Sequence, residues 1–505
     1  MTGNVYEKLY QRFAGDTGRV FLDDPGRQPL SYWDLDQLSG RYAAALGALG
    51  VVAGERVVAQ VEKTPDAVAL YLACLRLGAV YVPLNTAYTA AEMAFFLRDC
   101  EPRLLLVAAG RRGELESAAR QANVPAPMCL TNSADSLARR AAACEPDPHI
   151  VSRTDNDLAV IIYTSGTTGR AKGAMLTVGN LISNGLALHE TWGWRDDDVL
   201  LHALPVFHVH GLFVALHCAM LNGSPVLFLP RFDVAAVRTA LPRATVMMGV
   251  PTFYTRLLAE PDFSTRECRH MRLFISGSAP LSPQIFAEFE ARTGHRILER
   301  YGMSEAGIIA SNPLHGERLA GSVGFALPDV EVRVADSDGH IAAVDHVGEL
   351  EVRGPNLFAG YWRLPDKTAA EFRSDGFFMT GDLGQMSAEG RISIVGRGRD
   401  LIISGGYNIY PREIERCLDE LPEISESAVV GVPDADFGEA VVAVIVPTES
   451  GVFDQLAVER ALQAGLARFK HPRRFFLTDA LPRNAMGKVQ KNELRERYGS
   501  VLLES

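Results

Sequence analysis

The sequence predicts an α/β protein: a large N-terminal domain of layered α/β subdomains, a β-rich subdomain after them, and a small C-terminal α+β domain. Three observations predict it. The chain has 505 residues, too many for one ordinary hydrophobic core, so roughly two to four structural units are expected. Short apolar runs alternate with segments of helical pattern, the mark of strand–helix–strand units in largely parallel sheets. Between Gly324 and Gly396 that alternation gives way to short strands separated by turns.

Taken in order, "RVVAQVEKTPDAVALYLACLRLGAVYVPLN" from Arg56 reads strand, helix, strand. "EPRLLLVAA" and "NDLAVIIYTS" read as further buried strands, and the Ala/Arg-rich "SLARRAAACEP" between them as a helix. "RATVMMGVPTFYTRLLAE" and "HMRLFISGSAPLSPQIFAEFEARTGHRILERYG" repeat the strand–helix–strand theme. "GELEVRG" and "RISIVGR" are the short strands of the β-rich part. "YPREIERCLDEL" is a helix with Pro411 at its first position, where a missing N–H costs nothing. "SAVVGVP" and "AVVAVIVP" then form strands of the small unit. Glycine and charge interrupt two apolar strands at Arg397–Asp400, which places the expected domains at residues 1–397 and 398–505.

Composition excludes some functions. Lys+Arg of 50 against Asp+Glu of 61 gives −11, a poor balance for a nucleic-acid binder, which must neutralise phosphates. The seven cysteines include no CxxC pair, so neither a disulfide framework nor a structural zinc site is expected. The start "MTGNVYEKLYQRF" lacks the apolar centre of a signal peptide. No run approaches the ~20 apolar residues that span a bilayer. A cytoplasmic protein without membrane or nucleic-acid partners is expected.

Two stretches carry chemistry. In "YTSGTTGRAKG" (Tyr163 to Gly173) a buried strand enters a loop of Ser, Thr and Gly closed by Lys172. Such a loop can present N–H groups and hydroxyls to phosphate oxygens, with a lysine as counter-charge. It is not a Walker A loop, because Ala171 precedes Lys172 and Gly173 follows it. The plain alternative is a flexible strand–helix turn. "GRGRDL" near residue 400 is not a dinucleotide fingerprint, since Leu401 stands where the last glycine belongs. The second stretch is "ILERYGMSE" (Ile297 to Glu305), where Arg300 is either a solvated charge at a strand end or a guanidinium aimed into a pocket.

Five motifs in order resemble the adenylate-forming acyl-CoA synthetases over nearly the whole chain. "YTSGTTGRAKG" looks like their phosphate loop, "RYGMSE" their adenine and magnesium motif, and "TGD" (Thr380 to Asp382) their ribose motif. "GRGRDLIISGGYNIYPREIE" looks like their hinge and glycine strand, and "PRNAMGKVQK" their catalytic-lysine loop. The resemblance implies ATP, Mg²⁺ and coenzyme A as the reaction's companions, an acyl-adenylate intermediate, and a mobile C-terminal domain that rotates between half-reactions about a hinge at Arg399. It implies that Thr164, Ser165, Gly166, Thr167, Thr168 and Lys172 hold phosphates. Ser304 would contact phosphate and Glu305 would hold Mg²⁺, a hard ion that takes oxygen ligands. Ser278, Ala279, Glu299 and Gly302 would border the nucleotide, Tyr301 would stack on adenine, and Asp382 with Arg397 would hold the ribose. Lys488 would bridge carboxylate and α-phosphate, and its acetylation would remove that contact. Ser404, Gly405, Gly406 and Tyr407 would line the coenzyme A passage, with Lys470 near its phosphates. Taken alone, "TGD" reads as a turn and Lys488 as a solvated loop lysine.

The substrate follows from two arginines. A fatty-acid pocket would be apolar throughout, yet Arg256 and Arg300 border the expected acyl site. A buried guanidinium without a partner costs several kcal/mol, and a second substrate carboxylate removes that cost with charge-assisted bonds. "PTFYTR", "SGSAP" and "ERYGM" are similar to the malonyl-CoA synthetases within the family. That resemblance implies that Arg256, Ser278 and Arg300 hold the distal carboxylate of malonate, with methylmalonate as a second substrate. Met303 would cap the pocket floor, and Val209 and His210 would form its wall. The alternatives are an Arg300–Glu299 scaffolding pair, a ligase for another short acid or for a carrier protein, and a non-catalytic nucleotide sensor. A monomer or weak homodimer is expected.

Overall fold

The computed structural model describes residues 3–164, 171–336, 338–404, 407–434, 437–448, 453–466, 468–484 and 487–499. Among them lie two large sheets. The first has six strands, in the order Met128–Cys129, Leu104–Val107, Arg56–Gln60, Val80–Pro83, Leu158–Thr164 and Lys172–Thr177. All its neighbours are parallel except the last pair. The second has nine strands. Its parallel centre runs Leu298–Met303, Leu273–Ser276, Val246–Gly249, Leu200–His202, Val226–Phe228 and Val20–Asp23, with antiparallel strands at both edges.

Local chemistry explains these elements. Strands such as "VMMG" and "LFIS" are buried along their whole length, which is why they read as continuous apolar runs rather than alternating ones. The helix Pro65–Leu77 begins with Thr64 accepting the N–H of Ala67, carries proline at its first turn, and stops at left-handed Gly78. Nearly every side chain of that helix is buried, so it packs inside the molecule and has no solvent face.

The plain alternative for Tyr163–Gly173, a strand–helix turn, does not hold. Leu158–Thr164 and Lys172–Thr177 pair antiparallel, with Thr164 opposite Lys172, and the helix starts only at Val178. Lys172 therefore sits at the foot of a hairpin, one strand before any helix.

The β-rich part is an antiparallel four-stranded sheet of Glu331–Ala335, Gly348–Arg353, Phe378–Met386 and Ile392–Arg397. Its register sets Asp382 directly opposite Arg397. After the turn Gly398–Asp400, the last part holds a five-stranded sheet. Its central strand, Gly438–Pro447, alternates perfectly. Val441, Ala443 and Ile445 face helices Pro411–Asp419 and Gln455–Gly465, while Ala440, Val442 and Val444 face helix Lys491–Tyr498. No described helix is long and apolar enough to cross a membrane.

Candidate active site

The carboxyl ends of parallel strands gather the site, where open α/β sheets place their ligands. Strand Leu298–Met303 carries Arg300, and it lies beside Leu273–Ser276. Arg300 is only 4% exposed, and its Nε and Nη2 have no hydrogen-bond partner among the described residues. Its guanidinium lies flat against Gly277, where a β-carbon would collide with it. Burial pushes its pKa down to about 9, which leaves it charged at neutral pH.

Other polar atoms near Arg300 are also unsatisfied. His210 opens a π-helical turn, His210–Leu216, a geometry frequent at functional sites. Its Nδ1 meets Ser278 Oγ across 3.4 Å, and its Nε2 has no partner. Ser278 holds φ of +70°, a conformation an L-residue adopts at a cost of about 1–2 kcal/mol. Burial and the Arg300 charge keep His210 neutral, and they push His208 down to about 4. Native structures rarely leave so many buried polar atoms without partners, and an anionic ligand would satisfy them. Ser276, whose Oγ is likewise buried and unpartnered, was not singled out as a site residue, though it opens the "SGSAP" motif.

The expected companions divide. Val209 is buried and Met303 half-buried, both against the main core. Arg256 is exposed on helix Pro251–Leu258, so it is not a second buried charge. Phe253, Tyr254 and Leu257 take the buried face of that short helix, and Arg256 falls on the other side, one turn after Thr252. The argument from a buried charge therefore rests on Arg300 alone.

On the nucleotide side, Asp382 is 3% exposed and already has two partners. Arg397 Nε lies 2.9 Å away and the Tyr301 hydroxyl 2.6 Å away. Tyr301 thus reaches Asp382 through its hydroxyl while its ring stays half-buried. Glu299 accepts the Leu281 N–H at 3.0 Å, its second oxygen is unpartnered, and burial pushes its pKa up to about 7. Gly302 packs against the Gly307 carbonyl of the neighbouring strand, and both Ser304 and the more distant Ala279 are half-buried.

Glu305 is buried and raised in pKa by desolvation. It accepts from the Tyr361 hydroxyl at 3.0 Å and from Thr164 Oγ1 at 3.5 Å. No described cation lies within ion-pair distance of it, although Lys172 and Arg397 act on it from further off. Two hydroxyls and a free carboxylate charge suit a hard divalent ion. Lys172 is buried and pairs with Glu371 at 3.1 Å. Tyr361 and Glu371 were not anticipated, because nothing in their spacing ties them to a lysine some 190 residues earlier in the chain. Ser165, Gly166, Thr167 and Thr168 lie outside the described residues, as do Gly405, Gly406 and the side chains of Arg399 and Tyr407.

Lys488 is half-buried, and its N–H bonds Asn484 Oδ1 at 3.0 Å. The preceding Gly487, at φ of +72°, leaves room for only 2.9 Å between a β-carbon and Thr252 Oγ1. The lysine loop therefore docks on the helix that carries Arg256. Ser404 pairs with Gly438 in the last sheet, and Lys470 is tied to Glu413 at 2.6 Å.

Comparison with known proteins accords with this layout. Residues 9–362 match the AMP-binding enzyme family, and residues 413–488 match the AMP-binding enzyme C-terminal domain. The malonate–CoA ligase of Arabidopsis thaliana is 35% identical over 88% of this chain and 78% of its own. The indoleacetate–CoA ligase of Aromatoleum aromaticum is 36% identical over 96% of each chain. The ATP-bound structure of MatB from Rhodopseudomonas palustris is 46% identical, covers 99% of this chain and 100% of its own, and superposes with a TM-score of 0.96. Its apo form gives 0.85 at the same identity and coverage, so the arrangement here is closer to the ATP-bound form.

Proposed function

The chain belongs to the AMP-binding enzyme family, and from that premise we propose that it is an acid–thiol ligase joining malonate to coenzyme A at the expense of ATP. Methylmalonate is the second substrate of the same site. The relatives of similar identity include ligases of quite different acids, so similarity alone does not choose the substrate. One observation carries the choice: the Arg300 guanidinium is buried with unpartnered nitrogens. An aromatic or long-chain acid would leave that cation uncompensated. The distal carboxylate of malonate meets it with charge-assisted hydrogen bonds, and His210 and Ser278 supply further donors beside it.

The chemistry runs in two steps. A malonate carboxylate oxygen bonds to the α-phosphorus of ATP, the bond to the β-bridging oxygen breaks, and pyrophosphate leaves. Lys488 spans the attacking carboxylate and the α-phosphate, so positive charge stands where negative charge develops. Asp382 and Arg397 hold the ribose, and the phosphate loop with Lys172 holds the β and γ phosphates. Mg²⁺, when bound, neutralises phosphate oxygens, and Glu305 is the residue that would hold it. In the second step the coenzyme A sulfur, having lost its proton, bonds to the malonyl carbonyl carbon and AMP leaves. Rotation of the C-terminal domain about Arg399 would withdraw Lys488 and bring up Ser404–Tyr407 for that step. Acetylation of Lys488 would neutralise its ammonium and stop the first step.

The test is pyrophosphate release with ATP, Mg²⁺ and coenzyme A across malonate, methylmalonate, succinate, acetate, butyrate and octanoate. Malonate and methylmalonate are expected to exceed the others by at least tenfold in kcat/KM. A preference for any monocarboxylate would overturn the substrate and leave only the ligase.

A further inference from the structure

Two residues outside every motif join Lys172, assigned to the ATP phosphates, to Glu305, assigned to Mg²⁺. The Tyr361 hydroxyl stands 2.7 Å from Glu371 Oε2 and 3.0 Å from Glu305 Oε1. Glu371 Oε1 accepts Lys172 Nζ at 3.1 Å and Lys367 Nζ at 2.8 Å. The Lys172 ammonium also lies 4.0 Å over the Tyr361 ring. The backbone fixes this cluster from both sides. Trp362 N–H bonds Gly173 O at 2.7 Å, next to Lys172, and Phe358 N–H bonds Glu305 O at 2.8 Å. Tyr361 is thus anchored simultaneously to the strand bearing Lys172 and to the residue bearing the free carboxylate.

We propose that Glu371 is an internal stand-in for a nucleotide phosphate, holding Lys172 until ATP displaces it, and that Tyr361 couples that exchange to Glu305. This rests on the reading of the site as an ATP site. Three features favour exchange over a static pair. Lys172 changes one anion for another, so its buried ammonium is never left alone. Glu371 keeps a second cation, Lys367, one helical turn away, so it too stays paired when Lys172 leaves. The Tyr361 hydroxyl has one proton between two carboxylates and can donate to one at a time. Once Lys172 departs, Glu371 becomes the stronger acceptor. The proton then turns fully to it and leaves Glu305 Oε1 free to accept a cation.

A competitor and a scaffold predict opposite signs. ATP affinity is measured by calorimetry in EDTA and again with Mg²⁺, without any acid substrate. Glu371→Gln is expected to bind ATP three- to tenfold more tightly in EDTA, since the rival anion is gone. The gain is expected to vanish in a Lys172→Met background. Tyr361→Phe keeps the ring under Lys172 but lacks the coupling hydroxyl. It is expected to lower the enhancement of ATP affinity by Mg²⁺ at least fivefold while the malonate KM moves less than twofold. Weaker or unchanged ATP binding by Glu371→Gln would overturn the exchange. Should that variant fold poorly, Glu371→Asp, which draws the carboxylate back from Lys172, must show the same direction of change. Absence of ATP binding by the unsubstituted protein would overturn the functional reading itself, a result distinct from failure of the exchange.

Discussion

Arg300 and Glu299 are adjacent on one strand and do not pair. Glu299 turns to the Leu281 N–H, while Arg300 turns to Gly277 with two nitrogens unpartnered. Consecutive strand residues face opposite sides of a sheet, so the strand that brings the two charges together in sequence also separates them. A scaffolding ion pair between them is thereby excluded, and Arg300 is left available for a ligand.

That availability has a stability cost. Arg300→Met should reduce kcat/KM for malonate by roughly 10²–10³-fold, equivalent to about 3–4 kcal/mol of lost charge pairing. The same variant should be more stable than the parent without ligand, by about 1–3 kcal/mol in denaturant titration, because an apolar side chain replaces a buried unpaired cation. Unchanged malonate kinetics would remove Arg300 from the substrate site.

Glu299 makes the fold sensitive to pH. Its folded pKa, raised to about 7 by burial, exceeds the ordinary carboxyl value of about 4.3. Below the unfolded value both states are protonated and nothing is lost. Between the two values only the unfolded state ionises, so stability falls as pH rises across that window, and above 7, where the native state must itself bury the charge, the loss is complete. Glu299→Gln keeps an acceptor for Leu281 and removes the titration. Its advantage over the parent should be about 3 kcal/mol at pH 8 and shrink to about 1 kcal/mol at pH 5. A gap independent of pH, measured by urea titration at both values, would show that Glu299 is not buried in this way.

The contact of Gly487 with Thr252 predicts a split between half-reactions. Lys488→Ala should slow adenylate formation by roughly 10²–10³-fold and retain most of the thioester step from supplied malonyl-adenylate. Gly487→Ala should share that profile, since its β-carbon would press on Thr252 and the residue would keep a strained positive φ. Equal losses in both half-reactions, assayed by single turnover, would argue against the assigned role of the loop.

Lys63 braces the turn that carries His210. Its ammonium donates to His202 Nδ1 at 2.7 Å, to His202 O at 2.9 Å and to Leu229 O at 2.6 Å. His202 Nε2 in turn donates to Gly211 O at 2.9 Å, inside the turn that begins at His210. Lys63→Met would orphan three acceptors and should cost about 3 kcal/mol or more. A denaturation midpoint equal to the parent's would show that water replaces the ammonium there.

The layered α/β class and most of the strand and helix order were legible in the sequence, as were the short motifs. Those features are local or periodic: apolar strands buried on both faces, caps such as Thr64 and Gly78, and motifs whose residues lie within a few positions of one another. Only the tertiary structure decided which charges meet. It paired Asp382 with Arg397 through sheet register, took Lys172 to Glu371, and left Arg256 exposed where the sequence grouped it with Arg300. The physical reason is that partnering depends on strand direction and helix face at the points of long-range contact. A helix as short as Pro251–Leu258 turns Arg256 outward as soon as Phe253, Tyr254 and Leu257 take the inward face, and its spacing alone does not say which neighbour it will meet.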